Sequence, residues 1–370
     1  MSKGLAVVLA LAASLSLVLA TGEASGEASF PEGFAREQVA EGLADPTAMT
    51  FLPDGRLLVA QQNGRLRVIR DGRLLEAPAL ELRVDSRGER GLLGVAVDPA
   101  FTTNGHIYVY HTVRTGPIHN RVTRFTLEGD RVAPGSGRLV FRLNNLSRAT
   151  NHNGGAIHFG QDGKLYVAVG DNANGENAQS LRNLKGKMLR INNDGSIPRD
   201  NPFRKNKNVR GKNKAIWARG LRNPFSFAVS PDDGVIFIND VGQRKWEEIN
   251  RGKRGANYGW PVFEGPEKNR RYAPPVFAYR HGDGPTTGCA ITGGTFYVPQ
   301  TPQFPEEYVG DYFFADFCGG WVRRFDPASG RAEPFAQGLS FPVDLKAGPE
   351  GALYYLERGK GSVSRVSYTG

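Results

Sequence analysis

Along this chain an apolar run, a turn built on Pro-Asp-Gly or a close variant, and a second run rich in Leu, Val, Ile and Tyr recur as one phrase. It reads FLPDGRLLVA from Phe51, VAVDPAFTTNGHIYVY from Val95, IHFGQDGKLYVAVG from Ile157, FAVSPDDGVIFIND from Phe227 and AGPEGALYYLER from Ala347. Runs of β-branched and aromatic residues joined by tight turns predict hairpins. Hairpins repeated at intervals of tens of residues predict a radial or stacked array of small sheets. With GGTFYVPQ from Gly293 and GDYFFADFCGGWVRRF from Gly310 added, the units number about six. The expected fold is therefore all-β, a six-bladed β-propeller. In such a ring the inner strands and their connecting loops meet at one axial mouth, so residues far apart in sequence can share a pocket there.

The first residues break this pattern. Lys3 precedes an unbroken apolar and small-residue stretch that ends near Ala20, the layout of a secretory signal peptide. The stretch is short for a membrane anchor and no basic flank follows it. Residues 1–24 are accordingly expected to form the signal, with cleavage between Ala20 and Ala28, and the mature chain to carry no integral membrane segment and to be periplasmic or secreted. Turn residues are spread evenly over residues 29–370 without a Pro/Ser-rich linker, which predicts one closed β domain. Cys289 and Cys318 are the only cysteines. In an oxidising compartment an even pair is most simply a disulfide, and two isolated cysteines make a poor metal site.

The formal charge of +10, concentrated in part between Arg204 and Lys214, raises the question of nucleic acid. No aromatic residues are interleaved there for base stacking, and charge of this kind sets association rates rather than function. No nucleic-acid partner is expected, whereas an anionic ligand is compatible with the charge.

Candidate chemistry begins at His152, within Asn151-His152-Asn153-Gly154-Gly155 and just before a predicted strand over residues 156–159. The paired glycines let backbone approach a ligand closely. After the next strand comes Gly170-Asp171-Asn172, which places Asp171 at the same end of the sheet, one strand over. A carboxylate beside an imidazole fixes its tautomer and strengthens it as a base; the alternative is a purely structural bond between two loop residues. Arg222 and Asn223 stand before Pro224, which forces an extended or turn conformation at the next blade's entrance. There a guanidinium can hold a carboxylate or polarise a carbonyl. The sequence has no G-x-S-x-G elbow, P-loop or H-E-x-x-H helix. The segment from Asp171 to Glu176 imitates a calcium loop, but Arg182 occupies the position where the twelfth, acidic ligand is required.

Over nearly the whole mature chain the sequence resembles the soluble glucose/sorbosone dehydrogenase family, whose aldose dehydrogenases use pyrroloquinoline quinone (PQQ) and calcium on a six-bladed propeller. The resemblance rests on Glu89-Arg90-Gly91-Leu92-Leu93-Gly94, the His152 segment, Gly170-Asp171, Gly186-Lys187-Met188-Leu189-Arg190-Ile191, Asp200-Asn201-Pro202, Gly220-Leu221-Arg222-Asn223-Pro224, Glu247-Glu248-Ile249-Asn250 and Asn257-Tyr258-Gly259-Trp260-Pro261. It implies that His152 is the general base for the anomeric hydroxyl and that Asp171 orients it. Arg222 would bond the quinone carbonyl, Asn223 would contact the cofactor, and Glu89 and Asn151 would meet sugar hydroxyls. Calcium would take the backbone carbonyls of Gly242 and Gln243. The implied partners are a small aldose substrate and an external electron acceptor.

Departures accompany these matches. Where the family's best-studied members set cations against the three cofactor carboxylates, this chain has Cys318, Phe341 and Val343, leaving Arg280, His281, Arg323 and Lys346 as candidate substitutes. Lys268 falls where a second calcium site would need an acidic ligand. Three functions follow in order: a PQQ-dependent aldose dehydrogenase, a non-catalytic propeller that binds carbohydrate or protein, and a calcium-dependent lactonase. The last would need several axial carboxylates around one metal, and only scattered ones such as Glu89, Asp171 and Asp240 are present.

Overall fold

Each recurring phrase forms the two inner strands of a blade. In the computed structural model, which describes residues 28–267 and 270–370, six antiparallel sheets of four or five strands stand in a ring. The expected signal segment, residues 1–24, and Lys268 lie outside the described residues.

From the first blade to the sixth, the innermost strands are Pro46–Phe51, Leu92–Val97, Ile157–Phe159, Pro224–Val229, Ile291–Phe296 and Pro342–Ala347. Each pairs antiparallel with the strand that follows it. Each also contacts the innermost strands of its two neighbours, which makes the array a closed six-bladed propeller. The third and fourth blades begin near the residues expected: one strand starts at Ile157, and the other takes in Pro224 as its first residue.

The turns between these strands follow from local chemistry. In the first blade Asp54 accepts the backbone N–H of Arg56 and Gly55 holds φ at +87°. In the third, Asp162 accepts from Lys164 and Gly163 sits at +68°. A side-chain oxygen that closes the turn, followed by a residue free to take positive φ, is why Asp-Gly recurs at these positions.

The second strands, such as Leu57–Gln61, Leu165–Val169, Ile236–Asp240, Tyr312–Asp316 and Leu353–Glu357, are buried along their whole length. Neighbouring blades cover both of their faces, so these strands read as continuous apolar runs rather than alternating ones. Between the second and third blades Tyr108, Tyr110, Ile157, Leu165 and Val167 form one such contact layer. Burying a large apolar side chain contributes about 1.5–3 kcal/mol, and the repetition of that gain around the ring fixes the positions of the loops.

Ring closure comes from the N-terminal side. The strand Phe34–Ala40 pairs antiparallel with Ser362–Tyr368 and becomes the outermost strand of the sixth blade. This clasp joins residues more than 300 positions apart, and no local pattern announces it. With the ring shut, the segments that enter each innermost strand and the ends of each second strand all converge on one axial face.

Candidate active site

The third blade supplies the first pair. His152 enters the blade just before Ile157–Phe159, and Asp171 follows the second strand Leu165–Val169, so both reach the axial face from adjacent strands. His152 Nδ1 and Asp171 Oδ1 are 2.7 Å apart, and Asp171 is almost wholly buried. The same Oδ1 accepts the backbone N–H of Ala173 at 2.8 Å, while Oδ2 accepts the indole N–H of Trp260 at 2.8 Å. Both carboxylate oxygens are thus committed to donors. A carboxylate against Nδ1 places the ring proton there and leaves Nε2 as the basic nitrogen. Nε2 has no protein partner among the described residues.

Glu89 links this pair to the axis. Its Oε2 accepts the backbone N–H of His152 at 2.7 Å and the amide of Asn223 at 3.4 Å, whereas its other oxygen has no protein partner among the described residues. Asn223 in turn accepts the N–H of Gly154 at 3.1 Å. Glu89 and Asn223 line an axial cavity of about 290 Å³ whose walls also include Gln62, Phe317, Val343 and Arg358. Asn151 is half-buried beside His152.

Arg222 stands at the entrance to the fourth blade. Its Nη1 donates to the carbonyl of Val241 at 3.0 Å, its guanidinium lies 5.7 Å from the Trp260 ring centroid, and its Nε is buried without a partner among the described residues. The backbone N–H groups of Arg222 and Asn223 both point at the Asp240 carboxylate. Burial, reinforced by neighbouring Glu248, pushes the Asp240 carboxyl well above its ordinary range. Burial likewise raises Glu248 to about 7.

In the loop after Asp240, Gly242 donates to Glu247 at 3.2 Å. Gln243, Arg244, Lys245 and Trp246 all direct their backbone N–H groups at Glu264 Oε1, over 3.0–3.4 Å. With the N–H groups drawn inward, the carbonyls of Gly242 and Gln243 have no donor among the described residues.

Backbone strain collects on the same face. Among the described residues other than glycine, φ is positive at Asp45, Asp71, His152, Asn172, Ala173 and Phe341. All but Asp71 stand in loops of the axial mouth. Aspartate, asparagine and histidine tolerate left-handed backbone, but for Ala173 and Phe341 it is costly and persists where surrounding structure enforces it, commonly at functional sites.

Cys289 and Cys318 are joined as a disulfide across the inner hairpin of the fifth blade, with Cα atoms 5.7 Å apart. The buried Asp316 carboxylate ties down that corner by accepting from Cys289, Ala290, Gly319 and Tyr279. Glu89 and Asn223 line the axial cavity, whereas His152, Asp171 and Arg222 stand beside it, and none of the four expected cationic substitutes lines it either. Arg280 covers the Trp246 ring at 4.5 Å, and Arg323 donates to Ala332 inside the fifth blade. Lys346 lies toward the far end of its strand, ion-paired with Asp344. His281 faces Glu247, whose carboxylate raises the imidazole above its ordinary value. Sequence reasoning also missed Arg358, which does line the cavity, and the indole donation from Trp260, although the Asn257-Tyr258-Gly259-Trp260-Pro261 segment had marked that region.

The fold is that of a six-bladed propeller enzyme family. The profile described as Glucose / Sorbosone dehydrogenase matches residues 43–365, and the chain belongs to that family. Aldose sugar dehydrogenase YliI of Escherichia coli (strain K12) is 30% identical over 351 residues, covering 90% of this chain and 92% of that protein. The apo-form crystal structure of the soluble aldose sugar dehydrogenase (Asd) from Escherichia coli superposes with a TM-score of 0.80 at 30% identity, over 90% of this chain and 99% of that one. The PQQ-bound aldose sugar dehydrogenase (Adh) of Streptomyces coelicolor gives a TM-score of 0.73 at 25% identity, over 92% and 99%. Among the described residues no helix is long and apolar enough to cross a membrane.

Proposed function

We propose that this protein is an exported quinoprotein that oxidises the C1 hydroxyl of aldoses to lactones, using PQQ and calcium and passing electrons to an external acceptor. The observation that carries the reading is the buried His152–Asp171 pair, with both carboxylate oxygens occupied by donors and Nε2 left open. Nε2 takes the proton from the O1 hydroxyl. Asp171 holds the ring in that tautomer and stabilises the positive charge that builds as the proton arrives. Loss of that proton together with a hydride from C1 leaves the carbonyl of the lactone. Glu89, fixed by its bonds to His152 and Asn223, keeps one carboxylate oxygen for a sugar hydroxyl. Asn151 lies beside it for a second.

The residues present fit the cofactor and the metal. PQQ, when bound, supplies a quinone that accepts the hydride. The unpartnered buried Nε of Arg222 suits a carbonyl oxygen on which negative charge develops, and Asn223, the next residue, lines the axial cavity. The free carbonyls of Gly242 and Gln243 are the hard oxygen donors that calcium prefers, and Glu264 holds their loop in that orientation. Reconstitution of the purified protein with PQQ and calcium, followed by dye-linked oxidation of a panel of aldoses, tests the reading. Turnover of at least one aldose to its lactone is expected. PQQ that binds without any aldose being oxidised would favour a carbohydrate-binding propeller instead.

A further inference from the structure

Charge around the axial cavity is uneven. Its lining includes the carboxylates of Glu89 and Asp344, and among the described residues Arg358 is the only lysine or arginine on that wall. Arg358 follows the second strand of the sixth blade, Leu353–Glu357, and so belongs to the same set of strand ends as Asp171. Its side chain is about one-quarter exposed and forms an ion pair of 3.0 Å with Asp45, a residue that is itself largely open to solvent. The guanidinium also bonds Gln62, whose amide reaches the carbonyls of Ser86, Gly88 and Arg90 on either side of Glu89. One side chain therefore connects the cation to the loop that carries Glu89.

Next to it the wall is aromatic. The Arg358 N–H donates to the carbonyl of Phe341 at 3.0 Å. Phe341 is held at φ +51°, is about half exposed, and stacks on the cavity-lining Phe317 with centroids 4.8 Å apart and planes at 29°. A large apolar ring exposed to water in left-handed backbone is doubly unfavourable, and a flat ligand lying against it would recover the exposed area.

Resting on the PQQ reading above, we infer that Arg358 is the cationic anchor for a carboxylate of the cofactor, with the Phe317–Phe341 stack as the adjoining wall for its ring. Asp45 and Gln62 hold the guanidinium at the rim, and the incoming carboxylate displaces the exposed Asp45 as its partner. A guanidinium pairs with a planar carboxylate through two parallel N–H bonds, which neither Phe341 nor Val343 nor the bridged Cys318 can offer.

The test is equilibrium titration of PQQ in the presence of calcium, followed by quenching of tryptophan fluorescence and by cofactor absorbance, without substrate. Arg358→Gln should weaken binding about 10- to 100-fold and flatten its dependence on salt. Arg358→Lys should recover part of the loss. Asp45→Asn, which removes the competing anion and keeps a residue that tolerates left-handed backbone, should tighten binding; a merely structural ion pair would not give that sign. Arg323→Met, at a guanidinium bonded inside the fifth blade, should leave binding unchanged. If the wild-type protein binds PQQ and Arg358→Gln binds it equally well while retaining its melting temperature, the assignment of Arg358 is overturned and the cofactor reading stands. Failure of the wild-type protein to bind PQQ at all would overturn both.

Discussion

Replacing Asp171 by Asn tests the His152–Asp171 pair most sharply, because the amide matches the carboxylate in shape but carries neither its charge nor its second acceptor. Three donors converge on this carboxylate: His152 and Ala173 at Oδ1, and Trp260 at Oδ2. An asparagine can place its oxygen at the Oδ1 position and keep two of them, which sets its amide against the Trp260 N–H. The ring tautomer then survives and the charge does not. With a nitrogen–oxygen contact of 2.7 Å the charge centres are about 4 Å apart, and at an effective dielectric near 20 their attraction is ~4 kcal/mol. If half to all of a positive charge has formed on the ring at the transition state, about 2–4 kcal/mol is lost, a fall in kcat of roughly 30- to 1000-fold. The assay is dye-linked oxidation of glucose at saturating PQQ and calcium, with PQQ affinity measured separately. Trp260→Phe, which removes one donor and no charge, should cost about tenfold or less. If Asp171→Asn turned over within threefold of wild type, Asp171 would be a structural partner of the loop and not the orienting carboxylate.

Further outcomes follow from the same geometry. His152→Ala should abolish turnover while leaving the melting temperature and PQQ affinity near wild type, since a general base acts on the barrier rather than on the core; substantial residual turnover would remove His152 from that role. Glu264→Gln should weaken calcium binding, read by isothermal titration, because a neutral amide holds the four N–H groups of residues 243–246 less firmly. Glu248, raised to about 7 from an ordinary 4.5, favours its protonated form in the folded state, so its contribution is fully present below pH 4.5 and is lost as pH rises through 7. Glu248→Gln, which can pair with the otherwise unpartnered Asn250 Oδ1, should remove up to ~3 kcal/mol of that alkaline destabilisation, measured as denaturant unfolding at pH 5 and pH 8. The disulfide closes a loop of 29 residues, so replacing both cysteines by alanine should lower stability by about 3–4 kcal/mol.

The blades were legible because each carries its own signal: an apolar run, an Asp-Gly turn and a second apolar run need only a dozen residues to declare a hairpin. His152, Asp171 and Arg222 were legible for a related reason, since strand entrances and strand ends place side chains on one face once the ring is assumed. Closure by residues 34–40 was not, because its partner strand lies at the other end of the chain and the segment alternates like any edge strand. Arg358 was hidden differently. Cys318, Phe341 and Val343 occupy the positions where cations are expected, whereas the guanidinium reaches the cavity from the following strand end, a displacement visible only when the sixth blade is folded against the first. The Glu264 contact was equally silent, since a carboxylate caught by four consecutive N–H groups has no sequence spacing of its own.

The proposed reaction is loss of a hydride from C1 of an aldose at the axial mouth while His152 takes the O1 proton. The most direct measurement is to mix protein reconstituted with PQQ and calcium with glucose in the absence of any acceptor, following the cofactor absorbance in a single turnover and repeating with glucose deuterated at C1. Reduction of the bound cofactor, a primary isotope effect on its rate and gluconolactone as product are expected. Bound PQQ that stays oxidised with glucose and with every other aldose offered would contradict the proposed reaction.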